Sequence, residues 1–233
     1  MILIPVKGLE TAKQRLAPLL DAAERSALAM AMLEDVLRTL AAWPGCPPVA
    51  LVTGDARARR LARRFGFEVI VDRENVGETA AIDQATRACR ARGAASALVI
   101  PADIPLIEAA ELEAVAKALP ASPGDPGTVL VPSADGRGTN AVLRRPPALF
   151  PLRFGDDSFK PHWRAARATG QPCAVLRLRG IGLDVDTPAD LAALLDAESR
   201  TESQALLLSW SVQQRCERLA RAGRRDGVRI TTP

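Results

Sequence analysis

The segment Lys7-Gly8-Leu9-Glu10-Thr11-Ala12-Lys13 holds two of the four lysines in a chain that has twenty-seven arginines. A lysine ammonium is a compact charge suited to an anion. Lys7, Gly8 and Lys13 therefore read as a phosphate-holding loop, against the plainer reading of a solvated turn with snorkelling cations. Three carboxylates stand at the ends of apolar runs: Asp103 in Ile100-Pro101-Ala102-Asp103-Ile104-Pro105, and Asp184 with Asp186 in Leu183-Asp184-Val185-Asp186-Thr187-Pro188. An unpaired carboxylate in an apolar setting is costly. A divalent cation offsets that cost, and an oxygen-only ligand set suits magnesium bound together with substrate phosphates. In an extended segment Asp184 and Asp186 share one face, so both could reach one metal site. The competing reading makes Asp103 a turn residue, Asp186 the neighbour of a helix cap and Asp184 a surface group.

Two further stretches, Gly136-Arg137-Gly138-Thr139-Asn140 and Arg153-Phe154-Gly155-Asp156-Asp157-Ser158-Phe159-Lys160, set small residues, hydroxyls and amides beside cations. Glycine lets the backbone approach an oxyanion, and Ser158 precedes a helix whose N-terminus favours negative charge. Thr139, Asn140, Gly155 and Ser158 are the candidate cradle for a phosphate or carboxylate. Two glycine turns and a serine N-cap would look the same.

The elements that must position these groups follow from the apolar pattern. Short apolar runs at Met1 to Val6, Val49 to Thr53, Glu68 to Val71, Ala97 to Pro101, Thr128 to Pro132, Ala141 to Arg144 and Cys173 to Leu178 read as strands buried on both faces. Asp21 with Glu24 makes a capping-box start for a helix over Ala22 to Leu40, Gly66 and Gly93 close two later helices, and Thr187-Pro188 opens another that runs to about Ala197. The alternation predicts an α/β fold with a mostly parallel sheet, helices on both faces, and ligands at the carboxyl ends of the strands. Arg57 to Arg64 reads as a solvated helix face. Residues 1–197 form the expected domain, and 198–233 an appended helix, with Leu206, Leu207 and Trp210 against the domain or a neighbouring subunit, ending in an extended Val228-Arg229-Ile230.

The totals narrow the function classes. No apolar stretch approaches the roughly 18 to 20 residues that cross a bilayer, and residues 1–6 lack a basic n-region, so a soluble, cytoplasmic protein is expected. Cys46, Cys89, Cys173 and Cys216 are far apart and read as reduced thiols. His162, the single histidine, cannot build a zinc site and is assigned a structural or surface role. A net charge of +4 with 3% aromatics supports a small anionic ligand as well as it supports a nucleic acid.

In this order, Pro-Val-Lys…Lys…Arg-Leu, Pro-Ala-Asp-Ile-Pro, Gly-Thr-Asn, Phe-Gly-x-x-Ser-Phe and Leu-Asp-Val-Asp-Thr-Pro-x-Asp-Leu resemble the guanylyltransferases of coenzyme F420 biosynthesis, over roughly residues 1–196. The resemblance implies a Rossmann-like, nucleotide-diphospho-sugar transferase fold, GTP as co-substrate and magnesium as cofactor. It implies as acceptor 2-phospho-L-lactate, phosphoenolpyruvate or 3-phospho-D-glycerate, whose phosphate attacks GTP with release of pyrophosphate. Lys7 and Lys13 would hold GTP phosphates, Asp103, Asp184 and Asp186 the metal, and Thr139, Gly155 and Ser158 the acid. Ahead of the third helix such enzymes read Gly-Leu-Asn-x-Ala, where this chain has Gly77-Glu78-Thr79-Ala80-Ala81, so the nucleotide contacts of Gly77 and Thr79 depart from the pattern. A sugar-nucleotide glycosyltransferase on the same architecture and a basic nucleic-acid-binding module remain the alternatives, and monomer and homodimer are equally open.

Overall fold

The computed structural model describes residues 1–72, 77–122, 124–155 and 157–226. Strands β1 (Ile2–Val6) and β2 (Val49–Thr53) are buried at every position, as strands covered on both faces must be. With β3 (Glu68–Ile70), β4 (Ala97–Val99), β5 (Gly127–Pro132), β6 (Thr139–Arg145) and β7 (Cys173–Val175) they form one seven-stranded sheet in the order β3-β2-β1-β4-β6-β5-β7. Only β6 runs against its neighbours; the pairs β1·β2, β1·β4, β2·β3 and β5·β7 are parallel. The expected strands and mostly parallel sheet are thus present. Full burial fails at the two rims, where β3 and β7 each have a neighbour on one side only and stay partly exposed.

Helix α1 (Ala22–Ala42) starts at the expected box, with Glu24 N donating to Asp21 Oδ1 at 2.8 Å and Asp21 N to Glu24 Oε2 at 3.0 Å. Helix α2 (Ala56–Arg64) turns Ala58, Leu61 and Ala62 inward and Arg60, Arg63 and Arg64 to solvent. Together with α4 (Ala109–Lys117) these two cover the face carrying Ile2, Ile4 and Leu51. Helices α3 (Glu78–Ala91) and α5 (Phe159–Ala168) cover the other face, where Leu3, Ala50 and Val52 point. Alternate residues of one strand serve opposite cores because strand side chains repeat every second position. A short α6 (Arg179–Gly182) and α7 (Pro188–Asp196) follow β7.

The C-terminal stretch holds two helices where one was expected: α8 (Glu202–Ser209) and α9 (Val212–Asp226). Ser211 between them has φ 53°, and a left-handed residue cannot continue a right-handed helix. Both fold back onto the domain, with Leu207 and Val212 packed among Leu16, Leu28, Met32 and Leu191. Asp35 of α1 accepts from Glu202 N at 2.7 Å, Ser203 N at 3.0 Å and Ser203 Oγ at 2.6 Å, tying the start of α8 to the core. Val228 to Ile230, read as extended, lie outside the described residues. Among the described residues no helix is long and apolar enough to cross a membrane.

Candidate active site

The order β3-β2-β1-β4 places the reversal of chain direction across the sheet between β1 and β4, the crevice where open α/β sheets take their ligands. The lysine loop follows β1 and Asp103 follows β4, so both reach that crevice. Lys13 stands between two 3-10 turns, Leu9–Thr11 and Gln14–Leu16, with a left-handed backbone at φ 56°. A non-glycine residue in that region is strained and is kept there by its surroundings. Its ammonium lies 2.5 Å from Asp103 Oδ2 and 2.7 Å from Asp186 Oδ1, on a side chain only 7% exposed. Burial opposes the charge, but the Asp103 and Asp186 carboxylates outweigh it and hold the Lys13 pKa above its ordinary value.

Asp184 and Asp186 are brought to Asp103 by the backbone. Val185 N donates to Asp103 O at 3.0 Å, and the Val185 side chain is fully buried. The flanking carboxylates line the crevice. Asn140 holds this segment from the other side, its Nδ2 donating to Ile181 O at 2.9 Å, Gly182 O at 3.1 Å and Asp184 Oδ1 at 2.9 Å. Burial pushes the Asp184 pKa up; the Asn140 bond works against that shift and the charges of Asp103 and Asp186 add to it. Glu111 caps α6 by accepting from Gly180 N at 2.8 Å and Ile181 N at 3.0 Å. A Cβ on Gly180 would stand 2.1 Å from Leu106 O, so only glycine lets the chain pass there.

Two clefts meet at these carboxylates. One, of about 320 Å³, is bounded by Lys7, Gly8 and Lys13; the other, of about 570 Å³, by Thr139, Asn140, Gly155, Ser158 and Asp184. Asp103 and Asp186 line both. Gly77 and Thr79 line neither. The Thr79 hydroxyl accepts from Phe154 N at 3.1 Å, tying the first turn of α3 to the loop of the larger cleft. Asp156 and the side chain of Glu78 lie outside the described residues.

The larger cleft is built by two clasped loops. Arg137 pairs with Asp157 through Nε to Oδ1 at 2.5 Å and Nη2 to Oδ2 at 3.3 Å, and Phe159 N donates to Arg137 O at 2.9 Å. Gly155 has φ 124°, a conformation that favours glycine. Ser158 does not cap α5, as its position had suggested. Its hydroxyl turns to Thr139 Oγ1 at 3.3 Å, a buried partner 19 positions away that no local pattern encodes. His162, expected to be structural or at the surface, is 1% exposed and stands behind Thr139, with Nδ1 2.9 Å from Thr139 Oγ1 and Nε2 accepting from Arg153 N at 2.8 Å. The spacing Ser158-x-x-x-His162 on a predicted helix, one turn apart on one face, is the signal that could have placed it.

The donor set fits a hard divalent cation. Asp103 Oδ1 is buried with no hydrogen-bond partner among the described residues, and Asp184 and Asp186 stand beside it at the same crevice. Among the described residues no three such groups converge as a finished metal centre; the Lys13 ammonium stands between Asp103 and Asp186.

A family model described as guanylyl transferase CofC like matches residues 1–226. The match runs through α8 and α9, beyond the motifs of residues 1–196. Phosphoenolpyruvate guanylyltransferase of Sphaerobacter thermophilus is 38% identical over 194 residues, covering 82% of this chain and 90% of that protein. The 3-phospho-D-glycerate guanylyltransferase of Colwellia psychrerythraea is 33% identical over 193 residues, covering 83% and 90%. A solved structure from Desulfovibrio desulfuricans G20, provisionally named a nucleotide-diphospho-sugar transferase, matches with a TM-score of 0.73 at 20% identity over 92% of this chain and 96% of that one, which bears on fold alone. By the family match and these relatives, this nucleotidyltransferase chain belongs to the guanylyl transferase CofC like family.

Proposed function

We propose that the chain moves the guanylyl group of GTP onto the phosphate of phosphoenolpyruvate and releases pyrophosphate. The observation that carries this reading is the meeting of the two clefts at Asp103 and Asp186, with the charged Lys13 ammonium between them. A triphosphate in the Lys7–Lys13 cleft and an acid in the Thr139–Ser158 cleft would bring their phosphates together at those carboxylates. Phosphoenolpyruvate is preferred as acceptor because the relative at 38% identity bears that name and the phosphoglycerate enzyme is more distant, at 33%.

A phosphate oxygen of the acid attacks the α-phosphorus in line, a P–O bond forms, the bridging bond to the β-phosphate breaks, and pyrophosphate leaves. No protein nucleophile is needed, so the residues act by positioning and by neutralising charge. Lys7 and Lys13 hold the triphosphate oxygens. The Thr139 hydroxyl and the open backbone at Gly155 hold the acid, and Ser158, whose hydroxyl donates to Thr139, lines the same cleft. Asp103, Asp184 and Asp186 would hold magnesium, which when bound offsets charge on the phosphate oxygens. The cytoplasm, where GTP is abundant and thiols stay reduced, is the proposed setting, in keeping with the four unpaired cysteines.

Mass spectrometry of the purified protein with GTP, magnesium and, separately, phosphoenolpyruvate, 3-phospho-D-glycerate and 2-phospho-L-lactate tests this, with pyrophosphate release followed in parallel. A guanosine-diphosphate-linked enolpyruvate formed well ahead of the other adducts is the expected result. A preferred adduct with another acid would replace the acceptor. Free nucleoside diphosphate in place of pyrophosphate would replace the reaction by glycosyl transfer.

A further inference from the structure

His162 offers an argument from hydrogen-bond stoichiometry. A backbone N–H can only donate, so Arg153 N at 2.8 Å requires a lone pair on His162 Nε2. Burial, with the Arg144 guanidinium adding to it, pushes the ring pKa down to about 4, which leaves the imidazole neutral near pH 7. A neutral imidazole with a bare Nε2 carries its proton on Nδ1. That atom lies 2.9 Å from Thr139 Oγ1, and the Ser158 hydroxyl donates to the same oxygen at 3.3 Å. A hydroxyl oxygen has two lone pairs. With both taken, the Thr139 proton must be given elsewhere, and Thr139 lines the larger cleft.

We infer that His162 is a positioning residue of the acceptor site: its Nδ1–H fixes the Thr139 hydroxyl as a hydrogen-bond donor, so that the site selects an anionic oxygen of the acid at that point. The ring itself is held in register by the Arg153 amide and by the edge of Phe154, whose ring centre is 5.1 Å away at 68°. Nothing in this arrangement asks His162 to touch the substrate or to take up a proton. The inference rests on the acceptor reading of the Thr139 cleft.

Because the chain has one histidine, an imidazole ¹⁵N spectrum of the labelled full-length protein reports on this residue alone. The expected pattern is a protonated Nδ1 and a bare Nε2, with phosphoenolpyruvate shifting the Nδ1 signal more than GTP does. Kinetics supply the second arm. His162→Phe should raise the KM for the acid about tenfold, the worth of one well-oriented hydrogen bond, while the KM for GTP and kcat stay within about threefold. His162→Asn, whose amide can donate near the Nδ1 position, should recover most of that loss. Thr139→Val should raise the same KM, and adding His162→Phe to it should cost little more. A ring protonated at Nε2, losses that multiply in the double variant, or equal changes in both KM values would overturn the inference. If Thr139→Val alone leaves the acid KM unchanged, the acceptor reading falls. If Thr139→Val raises it and His162→Phe does not, that reading stands and the positioning role falls. Should His162→Phe fail to fold, the spectrum of the unaltered protein decides: no response of Nδ1 to the acid overturns the role.

Discussion

The Lys13 ammonium lies 2.7 Å from an oxygen of Asp186, a residue 173 positions further along the chain. The contact joins the loop after β1 to the segment before α7, and with Asp103 it draws the two clefts to one point. On the proposed reading, a cation so placed would face both the nucleotide and the reacting phosphate.

Lys13→Ala should therefore lower kcat/KM for GTP by about 100-fold or more, the usual scale for losing a charge aimed at a transition state. The KM for the acid should change much less. Lys13→Arg should not rescue, since a planar fork replaces a compact charge on a side chain only 7% exposed. Steady-state kinetics with each substrate varied in turn checks this; a loss confined to the acid would place Lys13 in the other cleft.

Gly180 supports the acidic segment by letting the backbone run against Leu106. A methyl group there would meet Leu106 O at 2.1 Å and Glu111 Oε2 at 2.5 Å. Gly180→Ala should cost about 3 kcal/mol by overpacking. Gly124→Ala, with nothing within 4 Å of its Cβ, should stay within about 0.5 kcal/mol of wild type. Urea denaturation of the two variants distinguishes them.

Asp35→Ala removes the acceptor of three hydrogen bonds at the start of α8. Loss of a helix cap costs about 1–2 kcal/mol. Because Asp35 lines neither cleft, turnover at 25 °C should be nearly unchanged while the amides of Glu202 and Ser203 exchange faster. Hydrogen exchange and thermal melting read the two effects separately.

His162 should make stability acid-sensitive. Its pKa falls from 6.5 to about 4 on folding, chiefly through burial. A depressed pKa contributes stability that is present above pH 6.5 and is lost as the pH falls through about 4. The full loss amounts to about 3 kcal/mol, at 1.36 kcal/mol per pH unit. Asp184 and Asp35, whose pKa values are raised by burial, act in the opposite sense. The difference between wild type and His162→Asn across pH 4 to 7 cancels those contributions. A difference that does not vary with pH over that range would contradict the buried neutral ring.

The strands, the helix starts at Asp21 and Thr187, and the grouping of lysines, carboxylates and glycine loops were legible in the amino-acid order alone. Each depends on interactions within a few residues: apolar alternation against a sheet, a side chain capping its own helix, a glycine released into a turn. Family membership was legible for the same reason, since its motifs are short runs in a set order. Only the tertiary structure decided which of these groups face one another. Because β6 runs antiparallel beside β4, its first residue, Thr139, comes to the end of the sheet where Asp103 lies. The chain returns to that end before α5, where Ser158 and His162 meet the Thr139 hydroxyl. Asn140, beside Thr139 in the same cleft, also comes within reach of Asp184 and supports it. Likewise the left-handed turn at Ser211 splits the C-terminal helix and buries Leu207 in its own chain. Such contacts join residues as many as 196 positions apart, and they arise from the packing of whole elements, which no local periodicity encodes.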